Sequence, residues 1–374
     1  MFANGRDPNS PFFASLGTNG RSCASCHDET VGWTVTPALL QARFDASGGT
    51  DPVFRAVDGA TSPDADVSTV AARQTAHALL LQRGLIRVGK GMPGGADFTL
   101  ASIADPYGFA SAAELSLFRR PLPSTNLRFL SQTMWDTREA TLASQATDAT
   151  LGHAQAATTD ASQIDAIVAF ESSLYTAQRI DPLAGDLTDA EGGAQAVLAQ
   201  QALAGSPNAF TIYAAWANAD TSSAEGQRRA SIARGERIFN TEPIDIRGVA
   251  GIADQRGTCS TCHDRPNVGD HATAVPMHLG VPDPQGLPHY TLRDTATGAT
   301  VVTTDPGLAL VTGLWADVGR FKVPVLRGVV MRAPYFHNGS AADLDAVVQF
   351  YRRRFGIRLS PQDEQDLVNF LSAL

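Results

Sequence analysis

The sequence is poor in positive charge, and it lacks both a basic cluster and a long hydrophobic run. Only 29 of its 374 residues are Lys or Arg, against 38 Asp and Glu, so the formal net charge is −9. Such a chain has little to attract nucleic-acid phosphates or an anionic lipid surface, so we expect neither nucleic acid nor a membrane as a partner. No apolar segment approaches the roughly 20 residues that a transmembrane helix requires.

Cysteine is scarce as well, and its placement is the most informative feature of the chain. All four cysteines fall into two copies of a C-x-x-C-H motif. The copies are Cys23, Cys26 and His27 in RSCASCHDETVGW, and Cys259, Cys262 and His263 in GTCSTCHDRPNVG. Whatever chemistry the thiols serve is therefore present once in each half of the chain.

The spacing of C-x-x-C-H favours covalent attachment of haem. Its two thiols lie about one turn apart and can form thioethers with the two vinyl groups of one haem, while the adjacent histidine binds the iron from one side. Two C-x-x-C pairs also form zinc sites with four cysteine ligands, but such sites usually have their pairs closer in sequence and do not need the histidines. We therefore expect two covalently bound haem c groups, ligated by His27 and His263.

Haem attachment also bears on the cellular compartment. It takes place where proteins are exported and where thiols are handled oxidatively. The chain begins without the charged and apolar regions of a secretory signal. We therefore expect a periplasmic protein whose signal sequence was removed before Met1.

The chain is long enough for two domains, each with its own core. We expect a mainly α fold with two cytochrome c-type domains over 1–182 and 225–374, joined by a connector over 183–224. The first domain would carry an insertion at about 30–115. Irregular structure is expected around 85–125, where Pro and Gly are frequent.

Helical hydrophobic patterns and capping residues recur along the chain. The helical segments are 67–85, 137–155, 160–178, 188–203, 222–239, 344–355 and 360–374. Strand signals are few, and the clearest is ATVVTT at 299–304. This balance is the basis for expecting a mainly α fold.

Two further stretches carry a family resemblance. FKVPVLRGVVMRAPYFHNGSAADLDAVVQFY resembles the signature after the second haem in the bacterial di-haem cytochrome c peroxidase and MauG family, and MWDTREATLASQ is similar to that family's signature in the first half. The resemblance implies reaction with hydrogen peroxide at the N-terminal haem. It also implies that the C-terminal haem exchanges electrons with a donor protein, an oxidisable protein or a small molecule.

The resemblance implies a distal ligand for the second haem. In the family this ligand lies fourteen residues beyond the His of PYFH(D/N)G, and counting from His337 reaches Tyr351. Tyr351 also ends an i, i+3, i+4, i+7 pattern that begins at Leu344, which alone is equally compatible with a core residue. Met331 is the competing ligand. Because a phenolate favours higher oxidation states of iron, Tyr351 favours a MauG-like oxidant.

The first-half signature implies residues between the haems and above the first one. Trp135 is similar to the family's tryptophan between the haems, and Gln145 to its distal-pocket glutamine. Where the family has a proton-transferring Glu, this chain has Gln155, whose neutral amide is neither acid nor base. His153 is the expected substitute, since it shares a helical face with Gln145.

Two other features leave interpretations open. The family's calcium site between the domains is not clearly retained, because Arg120 stands where its Asn would be expected, so calcium is an option without support. His77 lies in an apolar helical run and is either a core residue or a sixth ligand of the first iron.

Two other functions also fit the motifs. One is a non-catalytic di-haem electron-transfer cytochrome, in which both irons have six ligands. The other is a di-haem dioxygenase that resembles the rubber-cleaving oxygenases and consumes oxygen without peroxide.

Overall fold

The structure is a computed structural model that describes residues 8–190, 204–266 and 268–374. Its helices, in chain order, are α1 (Pro37–Ser47), α2 (Ala56–Gly59), α3 (Val70–Ala76), α4 (Ala78–Arg83), α5 (Leu142–Gly152), α6 (Ala161–Ser173), α7 (Ala224–Thr241), α8 (Ala309–Thr312), α9 (Leu344–Phe355) and α10 (Pro361–Ser372). None of the helices in these ranges combines the length and the apolar character needed to cross a bilayer.

The strands of the described ranges are short. They are β1 (Ile86–Lys90), β2 (Phe98–Ala104), β3 (Leu115–Arg119), β4 (Ile180–Asp181), β5 (Gly185–Asp186), β6 (Ile244–Ile246), β7 (Gln255–Gly257), β8 (His289–Asp294) and β9 (Thr300–Thr303). They pair antiparallel as β1–β3, β2–β8–β9, β4–β5 and β6–β7. Strand β9 lies where ATVVTT predicts a strand.

The predicted helices form at most of their expected positions. The pattern over 67–85 forms two helices, α3 and α4, because the chain breaks at His77. The helix expected over 188–203 falls largely on 191–203, which lie outside the described residues. Helix α10 begins as its sequence predicts, with Ser360 accepting a hydrogen bond from the Asp363 amide and Pro361 at the first position.

The expectation of irregular structure around 85–125 is wrong. Strands β1, β2 and β3 lie there, and β2 pairs with β8 from the second half of the chain, with Phe98 opposite Asp294. Leu115 and Leu117 of β3 are fully buried. Because β2 finds its partner almost 200 residues away, its pairing leaves no local signal in the sequence. A mainly α fold therefore describes only part of the molecule.

Aromatic clusters lie beside the two cysteine motifs. Near the first motif, the rings of Phe12, Trp33 and Phe170 lie within 6.0 Å of one another between centroids. Near the second, Phe239 of α7 lies 5.5 Å from Phe370 of α10. These clusters give each motif a rigid apolar support.

Candidate haem sites and the residues between them

The first C-x-x-C-H motif lines a cavity of about 180 Å³. Cys23–Ser25 form a 3-10 turn, and the amides of Cys26 and His27 both donate to the carbonyl oxygen of Cys23, at 3.1 and 3.0 Å. The turn brings both thiols and the imidazole to the same cavity. Burial raises the pKa of Cys23 to about 12 and that of Cys26 to about 11, so both thiols are protonated.

His27 is held in the tautomer that a metal ligand needs. Its Nδ1 lies 3.1 Å from the carbonyl oxygen of Trp33, which can only accept a hydrogen bond. Nδ1 therefore carries the proton, and Nε2 keeps its free electron pair. Burial lowers the pKa of His27 to about 4, which keeps the ring neutral. Asp28 and Thr34 close the intervening loop through a β-bridge.

The second motif repeats this arrangement in a larger cavity of about 420 Å³. Cys259–Thr261 form the 3-10 turn, and Nδ1 of His263 lies 2.7 Å from the carbonyl oxygen of Gly269. Burial lowers the pKa of His263 to about 4. Gly269 has a φ of +72°, and a Cβ there would lie 2.6 Å from the Phe210 ring, so this loop requires glycine.

Both sites fit covalent haem, and a shared zinc site is ruled out. The two cysteine pairs line different cavities, so the four thiols cannot bind one zinc ion. Within the described residues, no group of three or more His, Cys, Asp or Glu side chains is arranged to hold a metal ion. Each cavity offers two thiols free of disulfide bonds and one neutral imidazole, which is the donor set that haem c attachment requires.

Helix α5 forms one wall of the first cavity. Gln145, Ala149 and His153 all line it, so the helical face that the sequence predicts is formed. His153 caps the C-terminal end of α5, and its side chain is 40% exposed. Met134, which the sequence analysis did not consider, lines the same cavity at a φ of +63°.

Gln155 lies apart from this wall. Its side chain is exposed and does not line the cavity, because α5 ends at Gly152 and the chain turns through a φ of +55° at Gln155. The loop before the first motif holds this turn: Thr18 donates to the Gln155 carbonyl at 3.1 Å, and Asn19 donates to the His153 carbonyl at 2.8 Å. We therefore leave Gln155 out of the proposed site.

His153 has a partner that the sequence does not reveal. Its Nδ1 lies 2.5 Å from Oδ2 of Asp58, which belongs to α2 and lies 95 residues earlier in the chain. Asp58 is also ion-paired with Arg21, just before the first motif. No periodicity or spacing in the sequence connects these three residues, so only the tertiary structure identifies them as a group.

Trp135 lines both cavities. Its Nε1–H donates to the carbonyl oxygen of Arg120 at 2.7 Å, and its own carbonyl accepts from the amide of Lys322 at 2.8 Å. The indole meets the His337 ring edge to face, 6.2 Å between centroids. Lys322 also lines both cavities, and burial lowers its pKa to about 8. No motif or periodicity in the sequence indicates a functional role for Lys322.

A buried ion-pair network lies beside Trp135. Asp136 accepts from Arg119 at 2.7 Å and from Arg138 at 2.9 Å, and Arg119 also pairs with Asp305 at 2.6 Å. Burial opposes ionisation of Asp136, but the two guanidinium groups hold its pKa well below the ordinary value. Arg119 lines the first cavity and Asp305 the second, so the network spans the wall that separates them.

Helix α9 presents its predicted apolar face to the second cavity. Leu344, Val347, Val348 and Tyr351 all line it. The Tyr351 ring stacks on Phe355, with 6.2 Å between centroids and 20° between planes. Burial raises the pKa of Tyr351 above its ordinary value, so the phenol is neutral here. The position is that of a side chain able to approach a group bound by His263.

The methionine predicted as a competing ligand lies elsewhere. Met331 does not line the second cavity, and its Cβ packs close to Gly32 of the first half. Met277, which the sequence analysis did not consider, is buried and lines the second cavity together with Tyr351. Met277, and not Met331, is therefore the methionine that lines this cavity.

Arg120 and His77 both have structural partners. The buried Arg120 guanidinium donates to four backbone carbonyl oxygens, those of Val35, Arg83, Gly84 and Arg332. The Arg120 guanidinium thus binds these carbonyl oxygens at the position where the resembling family has an Asn that binds calcium. His77 is fully buried, packs on Phe54 and lines neither cavity, as a core residue does.

Two C-x-x-C-H motifs, each lining its own cavity, are typical of c-type cytochromes with two haems. No protein-family model matches the chain. The chain is 32% identical to the cytochrome-c peroxidase IdrP1 of Pseudomonas sp. (strain SCT), over an alignment that covers 34% of this chain and 39% of that one. It is also 32% identical to the cytochrome c551 peroxidase of Pseudomonas aeruginosa, over 31% of this chain and 30% of that one.

A third relative is the methylamine utilization protein MauG of Paracoccus denitrificans, which is 40% identical over 70 residues, 18% of each chain. These alignments show that parts of the chain are similar to bacterial cytochrome c peroxidases and to MauG, the family that its motifs resemble. The chain spans about two fifths or less of the length of these relatives. The solved structure of a MauG-like protein associated with microbial copper homeostasis aligns over 97% of this chain and 85% of its own, at 18% identity and a TM-score of 0.48.

Proposed function

We propose that this protein is a periplasmic di-haem c oxidoreductase that reacts with hydrogen peroxide at the first site and exchanges electrons through the second. One contrast carries the proposal. The α5 wall of the first cavity presents an amide and an imidazole, Gln145 and His153, in the cavity that His27 lines. The α9 wall of the second cavity is apolar apart from Tyr351.

The proposed protein has two cytochrome c-type domains, over 1–182 and 225–374, with 183–224 as the connector. Each domain holds one haem through the thiols and histidine of its motif. When bound, the haems supply the two electrons that reduce one hydrogen peroxide to two waters. Calcium has no role in this proposal, because Arg120 already donates to the available carbonyls.

The chain's own residues orient peroxide and move its protons. The Gln145 amide is placed to donate a hydrogen bond to peroxide in the first cavity, and the small side chain of Ala149 leaves room for it. His153 is the one group that α5 contributes to this cavity wall whose side chain can act as a general base and then as a general acid. Trp135, which lines both cavities, is the proposed path for electrons or holes between the sites.

Tyr351 is the proposed cap of the second haem. Beside a ferric ion the pKa of a phenol falls, and the phenolate then favours the higher oxidation states of iron. This favours an oxidant that removes electrons from a protein side chain or a small organic molecule. An electron-donor protein remains the alternative substrate.

A stopped-flow absorbance experiment on the haem-loaded protein tests the proposed function. The di-ferric protein is mixed with hydrogen peroxide, and oxygen uptake is recorded without peroxide. We expect a rapid spectral change at the first haem and then one at the second at one equivalent of peroxide, and no oxygen uptake. Two low-spin haems that ignore peroxide would identify an electron carrier, and oxygen uptake without peroxide a dioxygenase; either result overturns the proposal.

A further inference from the structure

A buried carboxylate, that of Asp58, contacts the His153 imidazole in the wall of the first cavity. Asp58 is only 4% exposed, and its Oδ2 lies 2.5 Å from Nδ1 of His153. It comes from the four-residue helix α2, inside the 30–115 region that the family resemblance does not explain. His153 itself lines the first cavity. The carboxylate is therefore positioned to control the ring of His153 from the side away from the cavity.

Arg21 holds this carboxylate in place. Arg21 is 2% exposed, and its guanidinium pairs with Oδ1 of Asp58 while donating to the carbonyl oxygens of Pro52 and Val53, both at 2.8 Å. Burial raises the pKa of Asp58. The charge of Arg21 and the hydrogen bonds with Arg21 and His153 lower it by more, so the net shift is downward. Both carboxylate oxygens are thus engaged, and Asp58 is ionised.

The backbone around His153 is equally constrained. Asn19 donates to the His153 carbonyl at 2.8 Å, and Gly17 lies so close to Ala154 that a Cβ would overlap the Ala154 carbonyl oxygen. Substitution at Gly17 would displace this loop. The segment 17–21, which leads into the first cysteine motif, therefore positions both His153 and its carboxylate partner.

An ionised carboxylate at Nδ1 determines what the other ring nitrogen can do. A carboxylate only accepts hydrogen bonds, so Nδ1 of His153 must carry the proton and Nε2 keeps its electron pair. The negative charge also stabilises the imidazolium that forms when Nε2 takes up a proton. Enzymes commonly orient a catalytic histidine in this way, through a hydrogen bond from its other ring nitrogen to a carboxylate.

We propose that Asp58 is the positioning residue of a His153–Asp58 acid–base pair, anchored by Arg21, that does the proton transfer for which the family uses a glutamate. The proposal rests on the proposed function, because it assigns His153 a task at the first site. At position 155, where the family has a glutamate, this chain has a glutamine. The proposed pair compensates for this difference, because α2 supplies a carboxylate that the end of α5 lacks.

The proton balance is closed at His153. Nε2 of His153 takes a proton from one oxygen of hydrogen peroxide and returns it to the other oxygen. The O–O bond breaks, and the oxygen that received this proton leaves as water with both electrons of that bond. Reduction of the other oxygen to water would need two protons from solvent and the two electrons that bound haems would supply. Asp58 stays ionised throughout and exchanges no proton.

The first test needs no variant. The haem-loaded protein is labelled with 15N-histidine, reduced and treated with carbon monoxide so that the haems are diamagnetic, and the ring nitrogens of His153 are observed by NMR. We expect the proton on Nδ1 at neutral pH. A proton on Nε2 of the neutral ring, or rapid exchange between the two tautomers, would overturn the pair.

The second test is the Asp58→Asn variant. Arg21 needs an acceptor, so the new carboxamide oxygen should face Arg21 and its NH2 should face His153. The NH2 would then donate to Nδ1, and the ring proton would move to Nε2. We expect the peroxide reaction to slow by roughly 10- to 100-fold, with haem content and visible spectrum retained. Asp181→Asn, which breaks a buried ion pair with Arg228 outside both cavities, is the matched control and should keep the wild-type rate.

A double-variant cycle separates positioning from general damage. If Asp58 acts through His153, the Asp58→Asn substitution should slow the reaction no further once His153→Ala is present. Additive losses in rate would assign Asp58 a merely structural role. A wild-type protein that does not react with peroxide would defeat the proposed function instead, and the histidine spectrum would still decide whether the pair exists.

Discussion

The indole of Trp135 donates its Nε1–H to the carbonyl oxygen of Arg120 over 2.7 Å, and both residues line the two cavities at once. The Arg120 guanidinium is fixed in turn by four backbone carbonyls. The only polar atom of the indole is therefore tied to a segment that has little freedom to move. A side chain held in this way keeps a constant distance to both sites.

Replacing Trp135 by Phe should slow electron exchange between the two haems while leaving peroxide binding intact. We expect the rate at which the second haem responds to peroxide to fall on the order of 10-fold, about 1.4 kcal/mol in barrier height. Rapid-mixing absorbance at the bands of the second haem measures this rate. Trp315→Phe, which changes a tryptophan outside both cavities, is the control, and equal rates in both variants would contradict a bridging role.

Replacing Tyr351 by Phe should change the second haem alone. The loss of the phenolate removes electron density from the iron, so we expect a higher reduction potential at that haem and a shift of its absorption bands. Potentiometry followed by absorbance resolves the two haems. Met277→Leu serves as the comparison: if this variant shifts the potential and Tyr351→Phe does not, Met277 is the cap.

Removing the thiols of one motif should remove one haem. The double variant Cys23→Ala and Cys26→Ala should lose the mass of a single haem, together with the reaction with peroxide, and should keep the absorption of the second site. Intact-protein mass spectrometry after acid denaturation counts the covalent haems. Cys259→Ala with Cys262→Ala is the reciprocal variant, and any wild-type mass other than that of two haems would rule out the di-haem assignment.

Glu171 should make the protein less stable as the pH rises from about 4.5 to 7. This carboxyl lines the first cavity, and burial raises its pKa from 4.5 to about 7, against a hydrogen bond from Ser124 that lowers it. The folded protein therefore keeps a proton that the unfolded chain releases, and the associated stability is lost across that interval.

The Glu171→Gln variant tests this because it keeps the neutral form at all pH values. We expect it to match the wild type near pH 4.5 and to exceed its unfolding free energy at pH 8 by on the order of 3 kcal/mol. Denaturant titrations at several pH values give the comparison. Glu225→Gln on the exposed face of α7 should show no such gain, and a gain of equal size there would refute the assignment to burial.

The local geometry of each cysteine motif was predictable because its residues are adjacent in the chain. A turn of three residues places Cys23, Cys26 and His27, and hydrogen bonds within that turn suffice to form it. The face of α9 that ends at Tyr351 was predictable for a similar reason, since a helix places residues at i, i+3, i+4 and i+7 on one side whatever surrounds it.

The long-range contacts around the first cavity were not predictable. The position of Gln155 outside the cavity follows from the end of α5 at Gly152, and helix ends depend on tertiary contacts such as the one between Thr18 and Gln155. Asp58 carried no signal, because a lone aspartate between two glycine-rich segments looks like a loop residue.

The sequence by itself determined which residues can hold haem, because covalent attachment depends on chemistry and spacing within five consecutive positions. Only the tertiary structure decided what surrounds those groups. The pairing of β2 with β8, the contact of Asp58 with His153 and the position of Trp135 all join segments far apart in the chain. Such contacts form only when folding buries them together, so no local pattern encodes them.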